Sequence, residues 1–134
     1  MLKINGFSLV EVIVVVAILG ILAAIAIPSY TKYVTNARRA DGKTALTVAA
    51  QAMERYFINN YTFENAIIGD NTVNTRYTVQ ETSDSGYYTL SFSQSTNATA
   101  FTIRATAQGK QASDTQCQVM EINQLGQKTP ANCW

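Results

Sequence analysis

The chain has 134 residues, 14% of them charged, a formal net charge of +1 and no histidine. That length points to one folded domain, and the near balance of charge leaves no strong field of either sign to gather nucleic acid over distance. Without histidine, the commonest general base and the commonest metal ligand are both missing. The hydrophobic share is 47%, but much of it sits in one N-terminal block. Residues 12–27 read VIVVVAILGILAAIAI, while the remainder is rich in Thr, Ser, Asn and Gln.

The apolar run is slightly short of the roughly 20 residues that span a bilayer as a helix. Extension through residues 7–10 on one side and past Pro28 on the other makes it membrane-competent. A cleaved secretory signal is the alternative, with Lys3 as its basic start and Ala24 and Ala26 as an A-x-A site. Glu11 argues against it, because a carboxylate in that segment hinders insertion. A charge at membrane depth costs about 2.5–3.5 kcal/mol on insertion scales and usually marks function. Glu11 either lies at the interface, favoured by the positive end of the helix dipole, or pairs with a buried cation. The nearest such cation is the free amine that cleavage a few residues upstream would create.

The stretch Gly6-Phe7-Ser8-Leu9-Val10-Glu11-Val12, the unbroken apolar run and Pro28-Ser29-Tyr30 resemble the processing motif and first helix of the type IV pilin family. The resemblance implies a leader, residues 1–6, cut between Gly6 and Phe7 by a prepilin peptidase that then N-methylates Phe7. It also implies that Glu11 neutralises the N-terminus of a neighbouring subunit during assembly. An i,i+4 pairing of Glu11 with the amine of Phe7 in the same helix remains open. Family filaments show loosened helix between positions matching Gly20 and Pro28. Proline removes one backbone donor and glycine weakens a helix, so a kink at Pro28 and flexibility at both are expected.

Charge counting disagrees with the orientation this implies. Lys3 precedes the apolar run, whereas Lys32, Arg38, Arg39 and Lys43 follow it, which by the positive-inside rule would place the C-terminal side in the cytoplasm. Long domains translocate largely regardless of charge, and the cysteine pair suits an oxidising compartment. A periplasmic head is therefore expected.

Beyond Pro28, apolar residues Ala45, Val48, Ala49, Ala52, Met53, Tyr56 and Phe57 recur at helical spacing. The spacing predicts a core-facing stripe, with Lys32, Arg38, Arg39, Lys43 and Glu54 mostly off it. Arg38-Arg39 form either a solvated face or a contact with lipid headgroups or a neighbouring acidic surface. One helix over residues 7–58 would be about 80 Å long at 1.5 Å per residue.

Asn59-Asn60 end that helix. A connection with a turn at Gly69-Asp70-Asn71 follows. Strands are expected over residues 76–81, over residues 88–93, where Tyr88, Leu90 and Phe92 alternate with polar neighbours, over residues 101–106, and more weakly over residues 117–123. Ser83-Asp84-Ser85-Gly86 and Ser95-Thr96-Asn97 suit hairpin turns. Cys117 and Cys133 enclose about 15 residues, a loop whose closure is worth up to about 3 kcal/mol. A disulfide is the expected state; free buried thiols and metal ligation are the alternatives, and metal is disfavoured by the absence of further ligands.

The Cys117-to-Trp134 segment, with Glu54-Arg55-Tyr56-Phe57 and the following Asn-Tyr-Thr, is similar to PilE-type minor pilins of type IVa pili. The expected fold class is α+β: a long N-terminal helix with a protruding hydrophobic half and an amphipathic half, packed on a small antiparallel β-sheet, the pilin fold. The expected organisation is a leader at residues 1–6, a helix at residues 7–58 with its membrane or filament-core part at residues 7–28, and a head at residues 59–134. No catalytic constellation, metal site or cofactor is expected. The sequons at Asn60 and Asn97 are what a Thr-rich chain yields by chance.

The resemblance implies a structural subunit, more in the manner of a minor than a major pilin. It would be held in the inner membrane before assembly and found in the extracellular pilus afterwards. Its partners would be other pilins, the prepilin peptidase and the assembly machinery, and its roles adhesion, twitching motility or DNA uptake. The alternatives are a type II secretion pseudopilin, disfavoured by the C-terminal disulfide loop, and a DNA-binding competence pilin. For the latter the head offers Arg76, Arg104, Lys110 and Lys128 against Glu64, Asp70, Glu81, Asp84, Asp114 and Glu121, so charge does not indicate DNA.

Overall fold

The computed structural model describes residues 6–69 and 79–134. The leader residues 1–5, the turn residues Asp70 and Asn71, and the first half of the strand expected at residues 76–81 lie outside the described residues. The chain divides into two compact units, Met1–Val34 and Thr35–Trp134.

Helix α1 runs Leu9–Asn60, with Pro28 inside it. Its N-terminal residues are exposed, including Val12, Ile13, Leu19, Ile21, Leu22 and Ile25. An apolar surface of this kind finds no cover within its own unit. Past Pro28, hydroxyls bond back onto the helix: Thr31 Oγ1 donates to the Ile27 carbonyl at 3.0 Å, and Thr44 and Thr47 do the same to Ala40 and Lys43. The helix ends two residues beyond the expected Ile58. There Tyr61 takes a left-handed conformation (φ 55°) and its N–H donates to the Phe57 carbonyl.

Within the second unit, α1 buries Gly42, Leu46, Ala49, Ala52 and Met53. This corrects the expected stripe. Val48 is 55% exposed, because it lies about 200° around the helix from Leu46. Leu46, fully buried, centres the apolar face instead. Val48 lines a groove beside Asp41, Ala45 and Val79.

That face covers an antiparallel sheet in the order β1-β2-β3-β4, made of β1 (Tyr88–Phe92), β2 (Thr102–Ala107), β3 (Val119–Asn123) and β4 (Lys128–Thr129). The register pairs Leu90 with Ala105 and Ala105 with Met120, then Ile103 with Ile122 in the next inward row. Tyr88, Leu90, Ile103, Ala105, Met120 and Ile122 are all buried, so the period-2 alternation read from sequence is the core side of the sheet. The opposite side carries Thr89, Thr106 and Val119 in one row and Ser91, Arg104 and Glu121 in another. Phe63 joins the connection to the core, with ring centroids 4.7 Å from Phe57 and 4.9 Å from Phe101.

Two features differ from the strand expectations. Strand β4 was not expected: a two-residue strand lacks a readable period, and it exists because Asn123 folds the chain back. Asn123 Oδ1 accepts from the N–H groups of Leu125 and Gln127. At the other edge, the described part of residues 76–81 forms no regular strand. Val79 makes an isolated parallel bridge to Ile68, and the Glu81 carbonyl accepts from the Leu90 N–H.

Candidate functional site

Phe7 and Glu11 are both exposed; Phe7 precedes α1 and Glu11 stands in its first turn. Gly20 lies within the same continuous helix as Pro28, and nothing would meet a Cβ added to it. Residues 7–27 therefore form an open apolar surface with one carboxylate near its start.

In the second unit, the residues that sequence reading set aside as a solvated basic face are instead taken up internally. The Arg39 guanidinium meets the Asp114 carboxylate in a two-pronged pair at 2.6 and 2.7 Å and also donates to Gln116 Oε1 at 3.3 Å. The side chains are 16% and 6% exposed. Arg38 lies over the Tyr87 ring, 4.7 Å from its centroid, a cation–π contact. Neither arginine is thus free for lipid or a neighbour in the manner expected. The physical reason is the short 3-10 turn at Gly109–Ser113, which delivers Asp114 to the helix from far along the chain, beyond the reach of any local pattern.

Gln111, 1% exposed, completes this cluster. Its Nε2 donates to Asp114 Oδ2 at 3.0 Å and to the Tyr88 hydroxyl at 3.1 Å, and it approaches the Thr35 carbonyl at 3.5 Å. The Tyr88 hydroxyl in turn donates to the Cys117 carbonyl at 3.4 Å. Cys117 is joined to Cys133 by a disulfide, which resolves the three states left open for the pair. Burial, foremost, pushes the Tyr88 hydroxyl above its ordinary value. The hydrogen bonds from Arg39, foremost, hold the Asp114 carboxyl below the usual carboxylate value.

The sign of the linkage follows. Folded Asp114 binds its proton less readily than unfolded Asp114. Its contribution to stability is therefore present above the unfolded value, about pH 4, and is lost as pH falls through the lower folded one. We expect the melting temperature of the full chain in detergent to fall more steeply below about pH 4 in the native protein than in Asp114→Asn. Circular dichroism melts of both would check this; parallel curves would mean that the pair carries no such linkage.

Elsewhere, Arg104 Nε donates to Glu121 Oε1 at 2.8 Å, and Lys128 Nζ sits 4.7 Å from the centre of the Trp134 ring. Arg76 lies outside the described residues. Of the four head cations considered for DNA, Arg104 is paired, while Lys110 and Lys128 remain exposed. Among the described residues, no group of three or more Asp, Glu, Cys or His could hold a metal ion.

Residues 28–121 match the family model described as type IV minor pilin ComP, DNA uptake sequence receptor. The chain belongs to this type IV minor pilin family. Residues 1–27 match the prokaryotic N-terminal methylation motif. The pilin is similar to the type IV major pilin protein PilA of Myxococcus xanthus, 44% identical over 53 residues, which are 40% of this chain and 24% of that protein. It is similar also to a type IV major fimbrial protein FimA of Dichelobacter nodosus, 36% identical over 93 residues, which are 61% of this chain and 58% of that protein. The pilin thus spans about a quarter of the Myxococcus relative. Among solved structures, a type IV pilin from Shewanella oneidensis has TM-score 0.53 at 24% identity, covering 75% of this chain and 97% of that one. The minor pilin PilV of Neisseria meningitidis has TM-score 0.50 at 20% identity, covering 72% and 85%. Both likenesses bear on the fold: a long helix on a four-stranded antiparallel sheet.

Sequence reading missed Gly42, Gln111 and the Arg39–Asp114 pair. Only Gly42 left a signal, since a lone glycine inside a helical pattern often marks close packing.

Proposed function

We propose that this pilin is a minor subunit of a type IV pilus. It is held in the inner membrane as a prepilin with its head in the periplasm, cut between Gly6 and Phe7 by the prepilin peptidase, N-methylated on Phe7, and passed by the assembly machinery into a filament with other pilins. The observation that carries this reading is the exposed apolar N-terminal part of α1, continuous in the same helix with a stretch that packs on a sheet. One half needs lipid or other helices; the other already has its partner. Loosening between Gly20 and Pro28 in the filament belongs to the same reading.

The test is mass spectrometry of sheared, purified filaments with quantified peptides. The expected result is a methylated peptide beginning at Phe7, well below the major subunit in amount. Processed protein that stays in the membrane and never enters filaments would favour a secretion pseudopilin. An N-terminus still at Met1 would overturn the reading.

A second reading is favoured by the family model, whose description names a DNA uptake sequence receptor: the head binds DNA outside the cell. Exposed Lys110 and Lys128 supply few phosphate contacts. With about two phosphates neutralised, log K should fall with log salt at a slope of about −2, shallow for a DNA-binding protein. Fluorescence anisotropy with the full chain in detergent and labelled duplexes over a salt series measures this. No binding at low salt would remove the DNA reading and leave the subunit reading standing.

A further inference from the structure

Just past Pro28, α1 carries two tyrosines, Tyr30 and Tyr33, that are 70% and 72% exposed. They stand three positions apart, so both rings lie on one side of the helix, and exposed Ile27 precedes Tyr30 by the same step. Lys32, also exposed, lies between them. All belong to the first compact unit, Met1–Val34, and neither tyrosine joins the core cluster. A tyrosine is two-ended, an apolar ring with a hydroxyl at its tip. Such side chains collect where hydrocarbon meets headgroups.

Lengths agree with that placement. From Leu9 to Tyr30 the helix rises about 32 Å at 1.5 Å per residue, against about 30 Å of hydrocarbon in a bilayer. The register that sets Tyr30 at one boundary brings Glu11 to within about 3 Å of the other, so one placement keeps both polar ends out of hydrocarbon. A shift of one turn, about 5 Å, either draws Glu11 inward or carries the tyrosine hydroxyls beneath the headgroups. Lys32 tolerates such a shift, because its long chain reaches back to water. The shorter, stiffer tyrosines do not.

We propose that Tyr30 and Tyr33 form an interfacial anchor for phospholipid, with rings at the edge of the acyl region and hydroxyls among the headgroups, that fixes the depth at which the subunit waits in the membrane. This rests on the membrane-held stage proposed above and adds what sets its depth. The apolar run drives insertion; the tyrosines stop it. The partner is a lipid surface because these rings follow directly on a bilayer-length apolar run and meet headgroups wherever that run lies in lipid.

Depth-dependent fluorescence quenching of the full chain in phosphatidylcholine vesicles tests this, with bromine carried either near the glycerol or near the acyl chain ends. Trp134→Phe removes the native indole in every variant, and Tyr30→Trp or Leu19→Trp supplies one at the anchor or at mid-span. The expected result is quenching about twofold stronger by shallow than by deep bromine for Tyr30→Trp, and the reverse for Leu19→Trp. Adding Tyr30→Ser and Tyr33→Ser to Leu19→Trp should bring its deep-to-shallow ratio from about two toward one, as the helix loses its stop and samples neighbouring depths. An unchanged ratio would mean that the apolar run alone sets the depth and would overturn the proposal. So would an indole at position 30 that is quenched best by deep bromine, or by neither while Leu19→Trp is quenched normally. Shielding at position 30 that is lifted by dilution in lipid would assign this face to a second copy and sink the lipid anchor. Absence of quenching in Leu19→Trp would remove the membrane-held stage itself, and the anchor with it.

Discussion

Gly42→Ala is expected to destabilise the head, although alanine is the better helix former. A Cβ built at Gly42 would lie 2.7 and 2.9 Å from Tyr88 ring carbons and 2.8 Å from the Met120 methyl. In an exposed helix the substitution would gain up to about 1 kcal/mol. Here the neighbours decide the sign. The Met120 methyl is the end of a flexible chain and can turn away. The Tyr88 ring is fully buried, and its hydroxyl is bonded to Gln111 and to the Cys117 carbonyl, so it cannot retreat without breaking the polar cluster. Overpacking of this kind costs about 1–3 kcal/mol, leaving a net loss of up to about 2 kcal/mol once the helix gain is subtracted. For a domain of this size that lowers the melting temperature by up to roughly 15 °C. Gly42→Leu should prevent a stable head altogether. Calorimetry of the full chain in detergent would measure the first effect. The companion variant Gly42→Ala with Met120→Leu should not recover stability, because the contact with the ring persists. A neutral or stabilising Gly42→Ala would show that Tyr88 has room to move and that the close approach is incidental.

The same position shows where reading a sequence stops. The apolar run, Glu11, Pro28 and the alternation in β1 and β2 are local patterns, and each follows from side-chain chemistry repeated at a fixed period. Residues that meet across the chain carry no such period. Arg39 and Asp114 are 75 positions apart, and each by itself reads as an ordinary surface charge. The expected stripe takes in Val48 and leaves out Leu46, because Ala45, Ala49 and Ala52 tolerate several rotations of the stripe; the burial of bulky Leu46 in the core selects one. The two-residue β4 is specified by the Asn123 side chain folding a turn, which no alternation can reveal. The disulfide was legible because only two cysteines exist, so there was one pairing to consider. Net charge was the weakest guide to partners. It counts Arg39 and Arg104 as available, while the structure commits both to carboxylates.

Glu11→Ala is expected to abolish entry into filaments while leaving the head folded. Glu11 is an exposed residue of the first unit and no member of the buried core cluster. Its effect falls on assembly. Cleavage before Phe7 would create a cationic amine, and packing the apolar helices together moves that amine out of water. Breaking a buried ion pair by removing one partner costs about 3–5 kcal/mol, since the other charge stays buried and uncompensated. At about 1.4 kcal/mol per factor of ten, incorporation should fall at least a hundredfold. Glu11→Gln should fail nearly as badly, because it preserves size and hydrogen bonding but not charge. Glu11→Asp, one methylene shorter, should retain part of the function. Immunoblots of sheared pili against membrane fractions report the ratio, and an unchanged cleavage product in the membrane separates docking from processing. If Glu11→Ala enters filaments at the native level, the amine is compensated by another group or remains hydrated in the filament. The apolar face of α1 would then be sufficient for packing without the carboxylate.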